Sequence, residues 1–152
     1  MARPLRLAFE GAIYHVMARG NERGAIFRLN TDRLRFLDKL GESAESFQVR
    51  IYAYALMLNH WHGLIETPRG NLSAFMQQFN TSYTVYYNTR HQRVGHLYSG
   101  RYKSPLVKGD EYLLRLSRYI HLNPVRVATR AETPVAEKVE RLRAYRWSSY
   151  RA

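Results

Sequence analysis

Apolar and polar positions alternate along the chain with more than one period. Residues 12–17 are a short apolar run rich in Ile, Tyr and Val, and the glycine-containing segment 18–24 that follows reads as a loop. Leu34, Leu37, Leu40, Ala44 and Phe47 recur every three or four positions, the stripe of a helix that Asn30 or Thr31 can cap. Residues 49–58 are apolar or aromatic at nearly every position after Arg50, which predicts a strand covered on both faces. Asn59 breaks that run, and residues 60–67 predict another short strand, closed by Pro68-Arg69-Gly70. The helical period then returns in Leu72, Phe75, Met76, Phe79, Tyr83 and Tyr86, with Asn71 as the cap and an end near Asn88. A polar, basic segment, 89–95, leads into residues 96–107, whose aromatics and Gly100 predict one more strand with an irregular start. Asp110 and Glu111 open a third helix, their charges suited to its positive N-terminal end. Leu113, Leu116 and Ile120 mark its buried side, and Pro124 is expected to end it, because the residue before proline is pushed out of the α region. Residues 131–140 read as a looser tail, and residues 147–150 as a segment that docks back on the domain.

Strand, helix, strand, strand, helix, strand, helix is the resulting order. Its first six elements match the split βαβ, ferredoxin-like pattern. The expected fold is therefore α+β: an antiparallel sheet with helices on one face, plus a C-terminal helix whose position is where function should be sought. At 152 residues, 45% hydrophobic, the chain is expected to form one domain, 1–152, with a real core.

Composition narrows the chemistry. Cysteine is absent, which excludes disulfides, cysteine nucleophiles and thiolate metal sites. No run of eighteen apolar residues occurs, and residues 1–10 carry Arg3 and Arg6 without a continuous apolar core, so a cytoplasmic, nucleoid-associated protein is expected. Lys plus Arg is 24 against 12 acidic residues, a net charge of +12. A GC-rich genome accounts for Arg over Lys but not for basic over acidic; a polyanion accounts for that, nucleic acid above all. Between Tyr83 and Arg130 basic residues are interleaved with Tyr83, Tyr86, Tyr87, Tyr98, Tyr102, Tyr112 and Tyr119. Exposed rings in such a stretch can stack unpaired bases, whereas buried ones are ordinary core.

Two strings stand out as chemistry. In His60-Trp61-His62 the two imidazoles share one strand face and Trp61 takes the other, so the histidines form half of a divalent metal site or a chance surface pair. Glu66 falls on the same face and is a candidate outer partner. In the string 118–126, Tyr119 and Asn123 lie four apart on one side of the helix end, and Tyr119 sits off the centre of the buried stripe. A phenol there can face a cleft and serve as a covalent nucleophile, given a cation or metal to help it, or it can be structural.

These residues carry a resemblance. His60-Trp61-His62 resembles the His-hydrophobic-His (HUH) motif of single-tyrosine transposases. Taken with Tyr14-His15-Val16, Arg19-Gly20-Asn21, the segment 95–104 and Tyr119-Ile120-His121-Leu122-Asn123-Pro124-Val125, it resembles the REP-associated tyrosine transposases of the IS200-like superfamily over residues 13–150. The resemblance implies His60 and His62 as metal ligands and Tyr119 as nucleophile. It places Asn123 where many relatives carry a ligating Gln, with His121 as the alternative third ligand. It further implies Mg²⁺ or Mn²⁺, and single-stranded DNA cut and rejoined beside REP or BIME hairpins through a 5′-phosphotyrosine. Arg101, Lys103, Arg115 and Arg118 would grip the DNA backbone, and Arg19 and Arg23 the hairpin; each can also be a solvated charge. Many related chains continue beyond the Trp-Ser-Ser-Tyr region, whereas the tail 131–152 stops at Ala152, so a C-terminal part is expected to be missing either from this sequence or from this member of the family. Monomer and homodimer both stay open.

Two rivals share the composition. A non-catalytic single-stranded nucleic-acid-binding module would use the basic and aromatic residues but leave the His pair and Tyr119 without a task. A hydrolase working through metal-activated water would want more acidic ligands than a chain with three aspartates offers.

Overall fold

The computed structural model describes residues 5–151; Arg3, Ala152 and the rest of the termini lie outside the described residues. Three strands, β1 (Ala12–Arg19), β2 (Arg50–Leu56) and β3 (His60–Thr67), form an antiparallel sheet in the order β1-β3-β2. Helices α1 (Asn30–Phe47) and α2 (Leu72–Arg90) pack on one face of it. Helix α3 (Asp110–Ala128) lies on the other face, and α4 (Val135–Ala144) packs on α3. This is the α+β architecture expected from the element order. Among the described residues no helix is long and apolar enough to cross a membrane.

Period-two alternation on β3 divides the sheet. Trp61 and Ile65 enter the aromatic core against Phe36, Phe75, Phe79 and Tyr83, while Leu64 packs with Ala53, Ala55, Leu116 and Ile120 beneath α3. Gly63 follows the same logic: a Cβ there would stand 2.6 Å from the Trp61 ring, so the indole can lie along its own strand only over a glycine.

Several elements differ from the expectation. The stripe of α1 that faces the core is Asp32, Phe36, Leu40 and Ser43, and Leu34 is turned outward at 45% exposure. Neither Asn30 nor Thr31 caps α1. The Asp32 carboxylate does so, accepting from the N–H groups of Arg28 and Leu29 at 2.9 and 3.0 Å. Asn71 holds the N-cap position of α2, but its side chain donates to the Phe47 carbonyl at the end of α1. Helix α3 does not end at Pro124 but runs through it to Ala128, where the Thr129 N–H closes on the Val125 carbonyl. The helical bond lost at the proline is offset by burial of Pro124 and Val125, which continue the buried run of α3 after Leu116 and Ile120. The tail is also more regular than expected: Pro134 introduces α4, which a Glu137–Arg141 pair supports one turn apart.

The predicted fourth strand is not a regular strand. Residues 98–107 run beside the free edge of β1, touching it at two isolated bridges, Tyr14 with Leu106 and Met17 with Lys103, and bridging Gly20 just past its end through Tyr98. Pro105 has no N–H to give a ladder and Gly100 takes a left-handed φ of 67°, so pairing is interrupted. The opposite edge, β2, is covered from the C-terminus. The Leu56 N–H donates to the Trp147 carbonyl, Ala55 bridges Ser148, and Ser149 Oγ accepts from the Tyr54 N–H.

Candidate active site

The site lies between the α3 face of the sheet and the segment that covers β1. It is a cavity of about 440 Å³ lined by Met17, Ala18, Arg19, His60, His62, Ser99, Arg101, Lys103, Tyr119, Asn123 and Val127. Strand β3 delivers His60 and His62 to one face, their rings 5.1 Å apart and nearly perpendicular. Helix α3 presents Tyr119 edge-on to His62, 5.8 Å between ring centres, with Asn123 one turn further along the same wall. Because α3 continues through Pro124, Asn123 is held in helical geometry and is buried.

A third imidazole completes the cluster. His15, on β1, lies diagonally across the ladder from His62, since Met17 is the residue directly opposite. The His15 ring stacks on His62 at 5.2 Å, its Nε2 lies 2.9 Å from His62 Nδ1, and its edge meets Tyr119. On the far side, His60 Nδ1 lies 2.7 Å from Asn59 Oδ1.

The electrostatics keep these rings neutral. Burial first, then the neighbouring His15, His60 and Arg19, lower the His62 pKa to about 3. Burial and Arg19 push His60 down as well, with the Asn123 amide acting weakly the other way, and burial lowers His15. Neutral imidazole is the form that binds a metal ion. Two buried polar atoms here have no hydrogen-bond partner, His62 Nε2 and Asn123 Oδ1. Among the described residues no group of three His, Cys, Asp or Glu side chains is arranged to hold a metal ion; His15 is engaged with His62, and the unpartnered Asn123 amide oxygen is the atom that could serve as a third protein donor. Two imidazole nitrogens and one amide oxygen suit Mn²⁺ and are compatible with Mg²⁺, which retains waters in its shell.

The other expected site residues divide. Arg19, Arg101 and Lys103 line the cavity. Arg23 lies outside it, in the turn after β1, where its carbonyl accepts from Asn59 Nδ2. Arg115 and Arg118 are on the exposed side of α3, Arg115 paired with Glu111 at 2.6 Å. His121, the alternative ligand, faces away and meets Ser149 Oγ at 2.8 Å. Glu66 is bound to Tyr52 and Arg50 at the other end of β3 and does not support the histidines. Of the tyrosines, Tyr83 and Tyr87 are core residues whose hydroxyls donate to the Ile26 and Ala25 carbonyls, Tyr98 and Tyr102 are half-buried against that core, and Tyr112 and Tyr119 are exposed. Sequence reasoning assigned no role to His15 or Arg126. Arg126 places its guanidinium 5.5 Å over the Tyr119 ring. Its spacing of seven from Tyr119, two helical turns, was the available signal.

The model of the family described as "Transposase IS200 like" matches residues 8–123, three quarters of the chain and all three strands. The chain belongs to that family of transposases, which act on DNA. Among solved structures, a REP-associated tyrosine transposase bound to a REP hairpin is similar at a TM-score of 0.75 and 14% identity, covering 99% of this chain and 84% of that one. A chain described as a transposase of Deinococcus radiodurans R1 is similar at a TM-score of 0.54 and 15% identity, covering 78% of this chain and 95% of that one. No curated protein matches the chain.

Proposed function

We propose that the protein is a metal-dependent single-stranded DNA endonuclease and strand transferase of the REP-associated type, acting beside hairpins through a 5′-phosphotyrosine. One observation carries this reading: Tyr119 faces His62 across a cavity in which His62 Nε2 and Asn123 Oδ1 stand buried and without partners. His60, His62 and Asn123 would hold Mg²⁺ or Mn²⁺, which when bound supplies charge neutralisation at the scissile phosphate. Tyr119 Oη attacks the phosphorus in line, and the P–O3′ bond breaks as the O–P bond forms. The phenol proton passes through solvent to the departing 3′ oxygen. The product is a 5′-phosphotyrosine and a free 3′-OH, which can attack in reverse and rejoin strands with no external energy source. Arg126, over the Tyr119 ring, steadies the phenol and adds positive charge beside the phosphate. Arg19, Arg101 and Lys103 line the approach and hold the backbone of the strand by charge-assisted hydrogen bonds. A flexible single strand bends into a cavity of this size, whereas a duplex must first deform at a cost of several kcal/mol.

The test is incubation of end-labelled DNA with Mn²⁺, read on a denaturing gel, using one sequence as single strand, as hairpin with flanks and as perfect duplex. The expected outcome is a covalent protein–DNA adduct with the hairpin substrate and none with the duplex. Tyr119→Phe should lose the adduct and at least about 10³-fold in cleavage rate while binding DNA as before. Undiminished cleavage by that variant would favour a metal-activated water. Binding without cleavage by the wild type would leave a nucleic-acid-binding module.

A further inference from the structure

We infer that Asn59 and His15 are positioning residues that set the tautomers of the histidine pair, so that the Nε2 atoms of both His60 and His62 are bare lone pairs available to a divalent cation. The inference deepens the metal-site reading above and rests on it.

The argument at His60 is one of donors and acceptors. Asn59 Nδ2 lies 3.2 Å from the Arg23 carbonyl, an oxygen that only accepts, so the amide nitrogen must be on that side. Oδ1 is thereby turned towards His60, 2.7 Å from Nδ1. A carbonyl oxygen cannot donate, so Nδ1 carries the hydrogen and Nε2 of the neutral ring is bare. The turn that supplies the Arg23 carbonyl is rigidly built. Glu22 and Arg23 are both left-handed, the Gly20 N–H donates to the Asn59 carbonyl, and a Cβ on Gly20 would lie 2.0 Å from the Gly24 carbonyl oxygen. The loop that was expected to grip DNA through Arg23 thus also fixes the direction of an amide one hydrogen bond from His60.

At His62 the partner is another imidazole, and the logic differs. One proton lies between His15 Nε2 and His62 Nδ1, 2.9 Å apart. If His62 Nδ1 carries it, His62 Nε2 is bare. If His15 Nε2 carries it, His62 Nε2 holds a hydrogen with no acceptor, in a buried place. The first arrangement leaves a bare lone pair that a cation entering the cavity can take, whereas the second points a hydrogen into the cavity that no cation can use, so the first is the one a metal site needs. His15 therefore works as an acceptor, held against His62 by the β1–β3 register and by ring stacking. Outer partners of this kind orient metal-binding histidines in general. The two differ in kind: Asn59 imposes its tautomer absolutely, whereas His15 biases a shared proton.

Long-range ¹H–¹⁵N spectra of the metal-free protein read the tautomers directly, and calorimetry with Mn²⁺ reads their consequence. In the wild type His60 and His62 should both show hydrogen on Nδ1. Asn59→Ala should return His60, and His15→Phe should return His62, to hydrogen on Nε2, each weakening Mn²⁺ about 10- to 100-fold. Asn59→Asp and His15→Gln restore an acceptor and should recover both the tautomer and most of the affinity. Hydrogen on Nε2 in the wild type, or Mn²⁺ bound equally by the Ala and Phe variants, would overturn the inference. Should His15→Phe not fold, the wild-type spectrum and the Gln variant decide. A wild type with Nδ1 hydrogens but no Mn²⁺ affinity would instead defeat the metal-site reading and leave the tautomer assignment standing.

Discussion

Trp61 and His62 are neighbours in sequence and lie on opposite sides of one strand, and the two sides are built on opposite terms. Behind Trp61 the aromatic rings of Phe36, Phe79 and Tyr83 meet edge to face at 4.9–5.3 Å with no exposed surface. On the other side Ala55 stands opposite His62 on β2, Leu64, Leu116 and Ile120 pack further along the same face, and around the imidazoles His62 Nε2 and Asn123 Oδ1 are left unpartnered. One face stores stability, and the other gives some up so that polar atoms stay poised. Strand β3 can carry both because alternate residues never share a face.

Substitutions across the strand should separate the two functions. Trp61→Ala should cost about 3–5 kcal/mol in urea unfolding. Its indole N–H has no acceptor, so lost volume sets that cost, and Trp61→Phe should recover much of it. A Trp61→Ala protein as stable as the wild type would erase the contrast between the faces.

The polar exception on the aromatic side gives an intermediate effect. Burial alone would raise the Asp32 carboxyl, but hydrogen bonds from the Arg28 and Leu29 amides, His91 and Tyr86 hold it below its ordinary 3.8. The unfolded chain then takes up that proton more readily. The stability it contributes is present above the unfolded value and is lost as pH falls through the folded one. Asp32→Asn should cost on the order of 1–3 kcal/mol at neutral pH and flatten the acid limb below about pH 4. An unchanged acid limb would show that Asp32 is not held down.

The smallest stability change belongs to the chemical side. His60→Ala with His62→Ala should cost less than Trp61→Ala, on the order of 1–2 kcal/mol for the buried His62 ring, yet should abolish calorimetric Mn²⁺ binding. Equal Mn²⁺ binding by the double variant would move the metal site elsewhere.

The contrast also explains what was legible in the sequence. Alternation along residues 60–67 and the helical spacing of Tyr119 and Asn123 are local periodicities, and the four residues they single out, His60, His62, Tyr119 and Asn123, all line the cavity. The proline rule misjudged α3 because it describes a helix alone, whereas burial of Pro124 and Val125 holds this one together. His15 escaped notice because its relation to His62 is a diagonal across 47 positions, set by strand register. Charge named Arg115 and Arg118 as DNA contacts without saying which way their helix face turns; both stand on the exposed side of α3, outside the cavity.

The covers on β1 and β2 bear on behaviour in a crowded solution. A sheet of three strands has two outer strands, and each would ordinarily offer a row of unpaired amides and carbonyls to any other chain that met it. Here residues 98–107 occupy one row and residues 147–149 the other, each by only a few bonds. Neither cover is a good template in its turn, since Pro105 and the left-handed Gly100 interrupt the first and a short 3-10 turn ends the second. The sheet therefore ends on both sides in backbone that cannot be extended strand by strand. What stands between the sheet edges and another chain is two irregular segments that a description by secondary structure alone would leave out.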